Sequence, residues 1–267
     1  TILNFNNPTP ISEFLAYFSG ETFCLLGIVI NLLLVIFLKR KLNVKRVSDF
    51  LTAGVFVLNS IILVGFLIKN FFLGSIDELY FLNDTYAFNL ETILTKLFVN
   101  VFALLFILTT YKLTRKSFYN VSIMNSFLLV IALSAGLIVG AQEYIFAYIL
   151  LEIIIFSIYK YASCMRLRRF EKYSKEFLAL SATSSILFFS FYFMTFFLHD
   201  SIQLSIVQVC ITLALFLKAG IFPVSNYLIA KKPVQNVPCS VLLFCLVPWC
   251  AINVFKSFIV QFGINNE

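Results

Sequence analysis

Eight apolar runs, each long enough to cross a bilayer, follow one another along this chain of 267 residues. Crossing ~30 Å of hydrocarbon takes about 20 residues of helix. The runs cover residues 22–38, 50–73, 91–111, 121–141, 143–161, 176–198, 203–230 and 236–260. They are continuously apolar, without the alternation that strands facing a polar lumen need, so they predict helices and not a barrel. Hydrophobic residues make up 61% of the chain and charged residues 12%, about half the charged share of a soluble domain. The expected class is therefore all-α, a polytopic membrane protein of about eight spans with a broken seventh, and a soluble globular enzyme is excluded. Thirty-three Phe against nine Gly and six Pro resemble translation from AT-rich codons, which points to an organellar genome.

Charge is partitioned between the two sides. Lys39, Arg40, Lys41, Lys45 and Arg46 lie between the first two spans, and Lys112, Arg115 and Lys116 between the third and fourth. Lys160, Arg166, Arg168, Arg169, Lys172 and Lys175 lie between the fifth and sixth, and Lys231 and Lys232 between the last two, so sixteen of the twenty basic residues share one side. Glu13, Glu21, Asp77, Glu78, Asp84, Glu91, Glu143 and Asp200 take the other. One span more or fewer would scramble this partition, and the basic side is expected to face the matrix or cytoplasm. A formal charge of +7 is thus explained by topology and contact with membrane lipids, without nucleic acid. The opening TILNFNNPTPISEF has no basic residue and carries an acid, the reverse of an import sequence.

Metal and nucleotide chemistry find little support. The six cysteines, Cys24, Cys164, Cys210, Cys239, Cys245 and Cys250, include no CxxC pair; five fall within or beside the spans, where buried free thiols are expected. A lone histidine, His199 beside Asp200, offers no haem or metal site, and no phosphate-binding glycine pattern occurs. Ser181, Thr183, Ser184, Ser185 and Ser190 in the sixth span, and Asn59, Ser60 and Asn100 in the second and third, are expected mainly to pack and to bond between helices. A hydrated wire beside an ionisable pair is the functional alternative for the serine cluster.

Two charges stand in mid-span: Glu152 within AYILLEIIIFSIY and Lys218 within ITLALFLKAGIFP, with Pro223 following. Lys218 is roughly 22 Å into its span and Glu152 roughly 13 Å into its own, at 1.5 Å per residue. An acid and a base in hydrocarbon are costly to keep and mark ion or proton paths by default. Pro223 removes a backbone donor, and such breaks are tolerated where they line a cavity. A static buried salt bridge is the structural alternative.

The order YILLEIIIFSIYKYA, KEFLALSATSSILFFSFYF, FLKAGIFP and a proline-bearing loop leading through PCS resembles the antiporter-like subunits of respiratory complex I, nearest to the NADH dehydrogenase subunit 2 family. The likeness covers residues 121–255, while the first three spans agree by hydropathy and count. It implies proton pumping driven at a distance by quinone reduction, with Lys218 binding the proton, Glu152 modulating it, Lys175 contributing on the matrix side and Pro223 breaking the seventh helix. It further implies no cofactor in this chain, with flavin, iron–sulfur clusters and ubiquinone on partner subunits. The corresponding organisation is 1–21 as an acidic-side segment, 22–120 as three helices, and 121–267 as helices four to eight of the proton-path repeat.

Three features depart from that family. Its eighth-helix lysine would fall at Pro248, with Lys256 two turns further on. The usual Trp and Pro-Asp after FPVSNYLIA are replaced by Lys231, Lys232 and Pro233. The chain ends after the eighth span, so a split gene is expected, with a companion chain supplying the remaining helices. Rival readings are a degenerate structural scaffold, another antiporter-like subunit such as subunit 4, and a fragment of an independent cation/proton antiporter.

Overall fold

A computed structural model describes residues 18–37, 42–73, 79–81, 85–115, 121–164, 168–195, 197, 201–218 and 242–263. Among them, eight α-helices follow in order: α1 Ser19–Phe37, α2 Leu42–Leu73, α3 Leu90–Arg115, α4 Val121–Gly140, α5 Tyr144–Cys164, α6 Arg168–Thr195, α7 Ser201–Lys218 and α8 Val247–Gly263. A π-helical turn, Leu242–Leu246, leads into α8. Between α2 and α3 a short antiparallel hairpin, β1 Leu79–Phe81 and β2 Tyr86–Phe88, pairs Leu79 with Phe88 and Phe81 with Tyr86.

Each helix falls on one of the eight apolar runs, and the chain is an all-α, multi-pass membrane protein. Helices α1 to α5 contain spans long and apolar enough to cross a bilayer, whereas the apolar parts of α7 and α8, Ile206–Lys218 and Val247–Ile259, are shorter. Several boundaries differ from the sequence expectation. Helix α2 starts at Leu42 and not at residue 50, because Lys45 and Arg46 are good helix formers that continue the ladder beyond the apolar stretch. Helix α6 likewise begins at Arg168, so Arg168, Arg169, Lys172 and Lys175 are helical and not loop. The segment expected as an acidic loop contains the hairpin, whose alternation is too short to register as strands.

Helix α3 opens with a reciprocal cap. The Asn89 side chain accepts the Thr92 N–H at 2.9 Å while the Asn89 N–H donates to the Thr92 hydroxyl at 2.9 Å, satisfying donors the first turn would otherwise leave free. Pro248 sits in the first turn of α8, where its missing N–H is tolerated. It has no hydrogen to give the carbonyl of Phe244, which lies in the preceding π turn.

The core centres on α4 and α5. Fourteen of the 20 residues of α4 are buried, among them Ser134, Ala135 and Gly136. Lipid tails are as apolar as leucine, so helices in a bilayer are held by close fit and interhelical hydrogen bonds, and small residues let backbones approach. A buried polar knot adds to this. Asn31 on α1 donates to Thr52 at 3.0 Å and accepts from Ser48 at 2.6 Å, while Asn125 on α4 donates to Ser48 at 3.0 Å and to Asp49 at 2.8 Å. The knot ties α1, α2 and α4 together.

The hairpin is seated on the α4–α5 turn. Tyr86 bridges to Ala141, and the Gln142 N–H donates to the Thr85 carbonyl at 2.9 Å. Gly140 is required there, since a Cβ would lie 2.4 Å from Cζ of Tyr86 and 2.7 Å from the Ala87 carbonyl oxygen. Gly140→Ala is expected to cost about 1–3 kcal/mol by overpacking, read as a lower unfolding midpoint of the solubilised protein. Gly54→Ala, where a Cβ meets nothing within 4 Å, is the control and leaves the midpoint unchanged or raised. Equal behaviour of the two variants would contradict this seating of the hairpin.

Candidate functional site

Glu152 and Lys218 meet. The Lys218 ammonium donates to Glu152 Oε1, to the Tyr148 hydroxyl at 2.9 Å and to the Ser185 hydroxyl at 2.8 Å. These three acceptors match the three N–H groups of an ammonium. Tyr148 and Glu152 are four residues apart on α5 and so share a face; Ser185 comes from α6 and Lys218 from the last turn of α7. The Lys218 ammonium also lies 4.4 Å from the Tyr148 ring centroid. Tyr148 in turn stacks on Phe188 at 3.7 Å with planes 5° apart, which fixes its hydroxyl.

Ser185 links the two charges in a second way. Its hydroxyl donates towards Glu152 Oε1 and towards the Ser181 carbonyl at 2.7 Å while accepting from Lys218. One hydroxyl proton serves a single acceptor at a time, so Ser185 can turn between the carboxylate and its own helix. The neighbouring Ser184 donates across to the Ala214 carbonyl on α7 at 3.0 Å. The serine cluster therefore both packs, as expected, and at Ser185 lines the pair.

Exposure separates the partners. The Lys218 side chain is 0% exposed and that of Glu152 32%. On α5, Ile149, Ile153 and Phe156 are exposed as well. The carboxylate thus looks outward from the helix bundle at membrane depth.

Helix α7 is described as far as Lys218, and residues 219–241, with Pro223, Lys231, Lys232, Pro233 and Cys239, lie outside the described residues, as does His199. Lys175 lies on the α6 backbone in its early turns. Lys256 is exposed and bonds Glu91 at 2.6 and 2.7 Å, and it is not among the Lys218 ammonium's three partners. Of the described cysteines, all free, Cys24 and Cys250 are buried, Cys164 and Cys210 are half-buried and Cys245 is exposed, so burial of the whole set does not hold.

A second buried ion pair was not anticipated from the sequence. Lys96 on α3 bonds Glu21 on α1, with side chains 6% and 15% exposed. Its ammonium lies 5.6, 5.2 and 5.1 Å from the ring centroids of Phe18, Tyr86 and Phe88. The available signal was a lysine on the acid-rich side of the partition, flanked by apolar residues in ILTKLFV.

No family model matches the chain, and no curated protein matches it. Among solved structures, it is similar to a chain of respiratory complex I from Thermus thermophilus with bound aureothin, with a TM-score of 0.70 and 13% sequence identity. The likeness covers 89% of this chain and 52% of that one, so the chain spans about half the length of the structure it matches. At that identity the likeness establishes a shared fold, a helical architecture found in respiratory complex I.

Proposed function

We propose that the chain is a proton-translocating membrane-arm subunit of respiratory complex I, antiporter-like and nearest to subunit 2, set in the mitochondrial inner membrane with its basic loops towards the matrix. The observation that carries the proposal is a buried lysine on α7 bonded to groups that can exchange or redirect a proton: Glu152, Ser185 and the Tyr148 hydroxyl. The shared fold supports the same setting. With Glu152 close, the Lys218 ammonium is compensated and holds its proton. With Glu152 drawn away, the charge is buried without a counterion, and release is favoured. Ser185, which touches both groups, would pass the proton on as it turns. Lys175 is the proposed matrix-side contributor, and Pro223 the proposed break. Flavin, iron–sulfur clusters and ubiquinone would sit on partner subunits, with none on this chain.

Partners follow from Glu152. A carboxylate facing lipid in mid-bilayer is costly, so we propose that the helices of a neighbouring or companion segment cover this face of α5, the remaining subunit 2 helices being the first candidate. Exposed aromatic residues such as Phe50, Phe71 and Phe72 on α2 suit lipid contact.

A structural scaffold of the same membrane arm is the second reading, favoured by Pro248 in place of an eighth-helix lysine and by the engagement of Lys256 with Glu91. Lys218→Met separates the two. The proton-path reading expects normal abundance of the assembled complex and a fall in protons pumped per electron pair, measured in native vesicles. Pumping that stays normal, or that falls only in proportion to assembly, would favour the scaffold. Partner cover has its own test: a cysteine at position 149 or 153 is expected to cross-link to a membrane-arm helix beyond this segment in the native assembly. Labelling of both positions by a lipid-borne probe alone would contradict that cover.

A further inference from the structure

Lys96 is less well supplied with acceptors than Lys218. The Lys218 ammonium donates to three oxygens, whereas the hydrogen bond of the Lys96 ammonium goes to Glu21. An ammonium carries three N–H groups. The rings of Phe18, Tyr86 and Phe88, with centroids 5.6, 5.2 and 5.1 Å from the nitrogen, stabilise its charge without taking an N–H. Even with the Tyr86 hydroxyl accepting a second, one N–H is left over, and a buried donor without a partner is costly. Asn59 leaves a matching acceptor. Asn100 donates to the Lys96 carbonyl at 2.9 Å, and a carbonyl only accepts, so Asn100 Oδ1 is the atom that takes an N–H of Asn59 at 3.2 Å. The Asn59 amide nitrogen also approaches Cys24 Sγ at 3.8 Å. Asn59 Oδ1 is thereby turned to Gly20, where a Cβ would lie 2.0 Å from it, and among the described residues it has no donor.

Lys96, Asn59 and Glu21 line one cavity of about 20 Å³, together with Gly20, Cys24, Asn100 and apolar residues of α2 and α4. One water needs roughly 10–15 Å³ of such space and about two to four polar partners. We propose that this cavity is a binding site for a single water molecule, which accepts from the Lys96 ammonium and donates to Asn59 Oδ1 and to the Glu21 carboxylate. The donors and acceptors match: the two hydrogens of the water meet two oxygens, and a lone pair meets the spare N–H. An apolar cavity of this size would stay dry. A free cation is a poor occupant, since it would have an ammonium for a neighbour and fewer oxygens than the roughly six a hard cation takes. The water joins α1, α2 and α3 at one point and completes the partners of a charge to which lipid offers none. The site stands apart from Glu152 and Lys218 and does not rest on the pumping role proposed for them.

The test is an experimental structure of the native membrane assembly that shows ordered waters, with the Gly20→Ala assembly beside it. The expected result is one density in the native cavity, about 2.7–3.2 Å from Lys96 Nζ, Asn59 Oδ1 and the Glu21 carboxylate. That density is expected to be lost in Gly20→Ala, because the new Cβ drives the Asn59 amide into the cavity. A native cavity without density, where other buried waters are seen, would overturn the site. A density ringed by oxygens at about 2.0–2.6 Å would overturn it as well, since that marks a metal ion. A density that persists unmoved in Gly20→Ala would overturn the part given to Asn59. Should that variant fail to assemble, the native density decides alone: a water bonded to Asn59 Oδ1 supports the assignment, and one beyond about 3.5 Å from it overturns it.

Discussion

An ammonium group inside hydrocarbon must find all its partners within the protein, because lipid offers none. The helices around Lys218 are arranged to meet that demand. Tyr148 and Glu152 project from one face of α5, Ser185 from α6, and Lys218 from α7. The stack of Tyr148 on Phe188 and the bond from Ser184 to Ala214 hold the three helices in that relation. Removing one acceptor would leave a buried donor unsatisfied, so the packing of α5, α6 and α7 and the chemistry of the pair are one problem.

The two buried lysines are solved differently. Lys218 is bonded to a carboxylate and two hydroxyls, groups that exchange protons or turn between partners. Lys96 bonds the Glu21 carboxylate and lies near the rings of Phe18, Tyr86 and Phe88, whose faces stabilise charge but accept no proton. The first shell suits a lysine whose proton moves; the second suits a lysine whose charge stays. Between them, α4 provides a tightly packed wall, buried over most of its length and tied to α1 and α2 through Asn31, Ser48, Thr52 and Asn125.

The spans were legible because a bilayer forces long apolar runs, and the charge partition checked their number. Glu152 and Lys218 were legible for the same reason: each interrupts a run whose every neighbour is apolar. Lys96 interrupts a run just as Lys218 does, yet it lies near Glu91 at the start of α3 and reads as an end charge. Its partner Glu21 is remote in sequence, and only the fold brings α1 to α3. Of the four lysines outside the basic loops, Lys69, Lys96, Lys218 and Lys256, the last three have carboxylate partners, so exceptions to the partition were the stronger signal. The hairpin was illegible because three-residue strands carry no usable period, and their seat depends on Gly140 meeting a ring from a distant segment. Helix ends at Leu42 and Arg168 were missed because hydropathy marks the bilayer boundary, whereas backbone hydrogen bonding continues past it.

The central claim is that Glu152 and Lys218 form a working proton site completed by helices on the outer face of α5. An experimental structure of the native membrane assembly, at a resolution showing side chains and waters, tests it most directly. Ordered waters linking Glu152 to a polar or charged side chain on covering helices are the predicted result. A dry pair, sealed on that face by apolar side chains or lipid, would contradict it and make the ion pair a structural clasp.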